Sequence, residues 1–168
     1  SRTSTSTCKN RIGTIEEMGD LDSSDVEKKR QLLQDIWERK AFANGSMWAA
    51  EMNSRISLQG FDGKAVTFRY VVDKADCNLM GTLHGGAIAT LADNLTNYAA
   101  VIEDRQLRPG ASINLDVDYM RAPKPGEVVL IECKLDKTGG FLSFSSASFL
   151  TEKREIIAQA KHTKFLGR

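Results

Sequence analysis

His84-Gly85-Gly86 stands directly before an otherwise uncharged stretch, "AIATLADNLTNYAAVI", in which Asp93 is the single charge. If a helix begins near Gly85, its first backbone N–H groups have no intrahelical partner and its dipole makes that end partly positive. A substrate oxygen that gains negative charge would be stabilised there, and glycines at 85 and 86 would let it approach without meeting a Cβ. Asp93 would lie eight residues further on, about 12 Å along the axis. On such a helix it shares a polar stripe with Thr90, Asn94 and Asn97. A carboxylate in that position is solvated, paired or used, and in use it serves as a general base for water or as a nucleophile. Each residue also has a plainer role open to it. Gly-Gly before a helix often makes only a turn, Asp93 could be a satisfied interface carboxylate, and His84 could be a packed histidine bonded to backbone.

The elements that would position these groups can be read from periodicity. Ser24 and Glu27 form a capping-box pattern at the head of "DVEKKRQLLQDIWERKAFAN". There Val26, Leu33, Ile36 and Trp37 mark an apolar stripe, and Asn44-Gly45 is a stop signal. Two strand-like runs, "SRISLQGF" and "KAVTFRYVV", flank Asp62-Gly63, which predicts a hairpin. Residues 85–102 predict a long helix, with Ile88, Leu91, Leu95 and Ile102 at helical spacing and Ala99 filling a further place. The period then changes to two. In "SINLDVDY", Ile113, Leu115, Val117 and Tyr119 alternate with Ser112, Asn114, Asp116 and Asp118, the pattern of a half-buried strand. Pro123 and Pro125-Gly126 break it. "EVVLIECKLDK", with Val129, Ile131, Cys133 and Leu135 on one face, then "FLSFSSASFL" and "EIIAQAKHTKF" predict three antiparallel neighbours joined by short turns. One long helix needs a large sheet to cover its apolar stripe, so the expected class is α+β with the helix lying across an antiparallel sheet.

Composition narrows the partners. The 168 residues are 41% hydrophobic and 27% charged, and a net charge of +1 offers no overall basic field for nucleic acid or an anionic membrane. No apolar run approaches the roughly 20 residues that span a bilayer, so no integral membrane segment is expected. Cys8, Cys77 and Cys133 are too scattered for a disulfide framework and read as reduced thiols, and two histidines without CxxC or HxxxH spacing give a metal site little support. Residues 1–15 contain Ser, Thr, Arg and Lys but no acid, a composition that fits either part of a mitochondrial transit peptide or a plain tail. The expected organisation is a flexible tail at 1–23 and one domain at 24–168, in a cytoplasmic or mitochondrial protein.

The ordered set "N-x-x-G-T-L-H-G-G" from Asn78 to Gly86, then "T-L-x-D-N", resembles the helix entry of the hot-dog-fold acyl-CoA thioesterases of the phenylacetyl-CoA thioesterase type. "YMRAPKPGE" at 119–127 and "IAQAKHTKFLG" at 157–167 extend the resemblance towards an animal branch of that family, and it covers residues 26–168. The resemblance implies a hot-dog fold, a long central helix wrapped by the sheet, and hydrolysis of an acyl-CoA thioester to a free acid and CoA without a cofactor. It implies that Gly85 donates its N–H to the thioester carbonyl, that Asn78 lies beside the reacting centre, and that Asp93 is base or nucleophile. Ser112 would help position water, with His84 and His162 close by. The HGG turn would come from one subunit and Asp93 from another, making a homodimer the smallest active unit and a homotetramer its expected assembly.

Arg121, Lys124, Lys137 and Lys164 are candidate surface cations for the CoA phosphates, while the acyl chain would occupy an apolar tunnel beside the helix at the dimer interface. Alternation puts Ser112 on the polar face with Asn114, away from Ile113. A bulge at the strand start, or a site between subunits, would reconcile that with a role at the site. Two other readings share the fold. A hydratase or dehydratase would need a histidine–acid pair at the reacting carbons, and a non-catalytic acyl-CoA-binding protein would release no thiol.

Overall fold

The computed structural model describes residues 23–39, 48–104, 108 and 110–167. The expected tail therefore lies outside the described residues save for Ser23, as do the Asn44-Gly45 stop and Cys8. Helix α1 spans Ser23–Glu38 and buries Leu33 and Ile36, with Val26 and Trp37 packed at the core's edge, which is the stripe that periodicity predicts. Trp37 closes over Phe68 and Tyr98, with the three ring centroids 5.3–5.5 Å apart in tilted pairs.

A five-residue helix, α2 (Ala50–Ser54), follows and was not foreseen, because one turn and a half is too short for a periodic signal. Strands β1 (Ile56–Phe61) and β2 (Val66–Val71) form the predicted hairpin. Its turn is tied by Asp62, whose carboxylate accepts from the N–H groups of Lys64 and Ala65 at 2.8 and 2.7 Å. Gly63 supplies a φ of +97° that a side chain would resist.

Helix α3 (Gly85–Val101) carries Ile88, Leu91, Leu95 and Ala99 into the core, and Ile102 is buried just past its end. Strands β3 (Ala111–Tyr119), β4 (Val128–Thr138), β5 (Leu142–Leu150) and β6 (Ile156–Phe165) complete one antiparallel sheet of order β1-β2-β4-β5-β6-β3. Helix α3 lies against β3, β4, β5 and β6. Its apolar stripe meets Ile131, Cys133, Ala147, Phe149 and Ala160, all at most 3% exposed. The α+β arrangement is thus the one that helix and strand periods require. Strands β4, β5 and β6 are the expected consecutive neighbours.

Strand β3 departs from expectation. It pairs with β6 at the sheet's end, and its other edge has no partner strand among the described residues. Leu115 and Val117 are partly buried as alternation predicts, but Ile113 and Tyr119 are 59% and 53% exposed. An edge strand is covered on one flank only, so its ends stay open to solvent. The β3–β6 register also shifts between Ser112 and Asn114, a bulge at Ile113. Ser112 lies opposite Lys164 while Leu115 lies opposite His162, so the extra residue switches the parity of the strand. Simple alternation assigns Ser112 to the outer face. The bulge returns it to the face that looks at α3.

Candidate active site

The turn before α3 is built by short-range polar contacts. Asn78 Oδ1 accepts from the N–H groups of Met80 and Thr82, and Asn78 Nδ2 donates to Thr82 Oγ1 at 3.1 Å. Leu83, 3% exposed, plugs the loop into the core and donates its N–H to the Pro123 carbonyl at 2.7 Å. The His84 N–H is held by the carbonyl of Asp76 at 2.9 Å. Asp76 is itself fixed, since its carboxylate receives the phenol of Tyr70 and the guanidinium of Arg55. Burial and the neighbouring Asp76 push the Tyr70 phenol well above its ordinary value, so it remains a donor.

His84 is the N-cap of α3. Its Nδ1 accepts from Gly86 N–H at 2.8 Å, and its carbonyl accepts from Ala87 and Ile88. Among the described residues this leaves the Gly85 N–H alone of the helix's first four donors without a protein partner. The glycine also has a neighbour that sequence reasoning missed. The Tyr119 hydroxyl donates to the Gly85 carbonyl at 3.2 Å, and a Cβ at position 85 would stand 3.3 Å from that ring. Tyr119 sits at the far end of β3, where only the fold can bring it to this helix end.

Asp93 is partly exposed rather than buried, its side chain 43% accessible, and it is paired. Ser112 Oγ lies 2.8 Å from Asp93 Oδ1 and 2.9 Å from His162 Nε2. His162 Nδ1 is 2.7 Å from Thr96 Oγ1, and His162 Nε2 is 3.3 Å from Asp93 Oδ1. Three side chains from α3, β3 and β6 therefore gather around the Asp93 carboxylate. Asp93 and Thr96 are three residues apart and share a helix face, a spacing visible in the sequence. Their meeting with Ser112 and His162 depends on the bulge and on the β3–β6 pairing. His162 is 1% exposed and meets the carboxylate beside Ser112. Burial and the nearby Lys164 lower its pKa below the ordinary histidine range, and Asp93 opposes them.

The four candidate phosphate-binding cations differ sharply. Lys164 is not a surface group: it is 6% exposed, points under α3 and donates to Asn97 Oδ1. Its inward position follows from the same parity that buries His162 two residues earlier. Burial lowers its pKa, with Asp93 opposing. Arg121 is exposed but ion-paired with Glu127 at 2.8 Å, while Lys124 and Lys137 are exposed. Beside the start of α3 lies an open cavity of about 550 Å³, lined by Trp48, Met52, Cys77, His84, Ala87 and Thr90 among others. Cys77 and Cys133 are free thiols, and among the described residues no three His, Cys, Asp or Glu side chains converge as a metal site. Nor is any described helix long and apolar enough to cross a membrane.

A long helix laid across a six-stranded antiparallel sheet is the plan of the hot-dog fold of thioesterases. Residues 80–158 match the model of the thioesterase superfamily. Acyl-coenzyme A thioesterase 13 of Homo sapiens is 41% identical over 98 residues, which cover 57% of this chain and 69% of that protein. Among solved structures, zebrafish thioesterase superfamily member 2 superimposes with a TM-score of 0.68 at 28% identity, covering 84% of this chain and 98% of that one. The Escherichia coli PaaI protein, at 15% identity and a TM-score of 0.68, covers 84% of this chain and 96% of its own and shares the fold. The chain belongs to the thioesterase superfamily.

Proposed function

We propose that this protein hydrolyses acyl-CoA thioesters to a free carboxylic acid and CoA. The observation that carries the reading is the pairing of two features on α3: an unpartnered N–H at Gly85 and a carboxylate at Asp93 anchored by Ser112. The likeness to acyl-coenzyme A thioesterase 13 supports the substrate class. The Gly85 N–H, aided by the Asn78 turn, polarises the thioester carbonyl and takes up its developing negative charge. Asp93 then either removes a proton from water as that water attacks the carbonyl carbon, or attacks it directly. In the first route collapse breaks the C–S bond and the sulfur leaves as the CoA thiol with the proton that Asp93 took from water. In the second the thiolate leaves first, and water then hydrolyses the acyl–Asp93 anhydride, supplying the thiol's proton and freeing the acid and the carboxylate.

The two groups are eight residues apart on one helix, about 12 Å along its axis, too far to serve a single carbonyl carbon. That separation supports a site shared between two copies, with Gly85 from one and Asp93 from the other. The unpaired edge of β3, carrying exposed Ile113 and Tyr119, supports a sheet continued across a dimer. Pairing of two dimers into a tetramer is the further assembly we infer. The acyl chain would lie in the cavity beside α3, against Trp48, Met52 and Ala87. Lys124 and Lys137 remain as cations for the CoA phosphates, with Arg121 if it leaves Glu127. No cofactor enters this scheme. The acid-free composition of residues 1–15 keeps cytoplasm and mitochondrion as the two compartments.

The hydratase reading gains a histidine next to the acid, His162, but that ring is buried behind Ser112 and not open to a substrate carbon. Mixing tests the shared site. Asp93→Asn subunits combined with subunits disabled in the Asn78–Gly85 turn should regain activity, because each mixed dimer contains one intact composite site. No recovery, with subunit exchange demonstrated, would mean that each site is built within one chain.

A further inference from the structure

Asp93 and the three side chains around it are linked by three short contacts, each needing one hydrogen, and His162 Nε2 also stands 3.3 Å from Asp93 Oδ1. Thr96 Oγ1 meets His162 Nδ1, His162 Nε2 meets Ser112 Oγ, and Ser112 Oγ meets Asp93 Oδ1. The supply is equally limited. Each hydroxyl carries one hydrogen, a neutral imidazole carries one, and an ionised carboxylate carries none. One arrangement fills all three contacts: Thr96 donates to Nδ1, Nε2–H donates to Ser112, and Ser112 donates to Asp93. The opposite tautomer, with its hydrogen on Nδ1, would send the Thr96 hydrogen to the Ala92 carbonyl at 2.8 Å. The first arrangement forgoes that contact, and the Ala92 carbonyl keeps the Thr96 N–H within the helix. With the opposite tautomer, His162 Nε2 and the Asp93 carboxylate would compete for the single hydrogen of Ser112, and a bare Nε2 would face Asp93 Oδ1 at 3.3 Å, acceptor against acceptor.

The charged groups facing the ring favour the same outcome. Lys164, on the same strand, discourages a second positive charge at His162, and Asp93 across from it accepts the hydrogen bond that Ser112 gives. We propose that Thr96 is a positioning residue of the hydrolytic site: its hydroxyl fixes His162 as the Nε2–H tautomer, which turns the Ser112 hydroxyl onto Asp93 Oδ1 and leaves Oδ2 to the reacting water. The inference rests on the hydrolytic reading above. It also gives Ser112 a definite state. Its hydrogen is committed to Asp93, one lone pair receives His162, and the remaining lone pair can accept from the water.

Long-range ¹H–¹⁵N spectra of the full chain labelled at histidine give the tautomer directly. With two histidines in the chain, the His162→Gln spectrum assigns the signals by difference. The expected result is a protonated Nε2 and a bare Nδ1 at His162. Thr96→Val, which keeps the shape and removes the hydroxyl, should lower kcat roughly tenfold with little change in KM, and Thr96→Ser should restore it. A hydrogen on Nδ1 in the wild-type protein overturns the inference whether or not Thr96→Val folds. So does a folded Thr96→Val enzyme with wild-type kcat. In either case an inactive Asp93→Asn enzyme would leave the hydrolytic reading intact, whereas an active one would sink that reading itself.

Discussion

Asp93→Asn should fold and assemble normally and lose about 10²–10⁴ in turnover, the usual cost of removing a general base. The substitution is close to isosteric. The carbonyl oxygen of the introduced amide can still accept from Ser112, so the contact to Ser112 at 2.8 Å need not be lost on folding. What disappears is the charge that draws a proton from water or attacks carbon. The partial exposure of the side chain points the same way: Oδ1 is anchored by Ser112, while 43% of the side chain remains accessible to a substrate. The expected signature is a fall in kcat measured on a single acyl-CoA, with oligomeric state and melting temperature nearly unchanged. Near-normal turnover in the purified variant would remove Asp93 from the chemistry.

Gly85→Ala is expected to be the second most damaging change, costing a substantial part of the roughly 10²–10³ attributed to one oxyanion donor. No left-handed backbone is required at this glycine, so alanine is conformationally allowed. Its Cβ would press on the Tyr119 ring at 3.3 Å, and Tyr119, 53% exposed, has room to yield. The effect should therefore fall on the carbonyl's approach to the N–H more than on stability. His84→Ala should behave differently. Losing the Nδ1 acceptor for Gly86 N–H should cost about 1 kcal/mol of stability, as for other N-caps, with a smaller loss in turnover. Steady-state kinetics on one acyl-CoA compares the two. A severe loss for His84→Ala beside a mild one for Gly85→Ala would mean that the imidazole transfers a proton and would revive the hydratase-like chemistry.

Long-range order in this chain was legible where one period ruled. The α3 stripe from Ile88 to Ile102, the β4 face of Val129, Ile131 and Cys133, and the Asp62-Gly63 hairpin could all be read from spacing, because each depends on local geometry and one buried face. The site was legible in part. Asp93 stands out as a lone charge, and Gly85 as the first residue of a helix. The companions of Asp93 were harder to read. Ser112 reaches it through a one-residue bulge at Ile113, which alternation cannot show, and Lys164 was mistaken for a surface cation because its strand's inward face carries polar residues. Charged type usually means exposure, but here Asn97 and the cleft under α3 accommodate the ammonium. Tyr119 and Thr96 were missed for a related reason: neither is unusual in sequence, and only tertiary placement brings one to the helix head and the other to His162.

The central claim is that the bond broken is the thioester C–S bond. Incubating the purified protein with acyl-CoAs of several chain lengths and titrating the free thiol against time tests it most directly. The expected result is release of CoA thiol in equal amount with free carboxylic acid, sustained over many turnovers and cut about 10²–10⁴-fold by Asp93→Asn. Binding of acyl-CoA with no thiol released from any member of the panel, or conversion of an unsaturated acyl-CoA with its thioester intact, would contradict it.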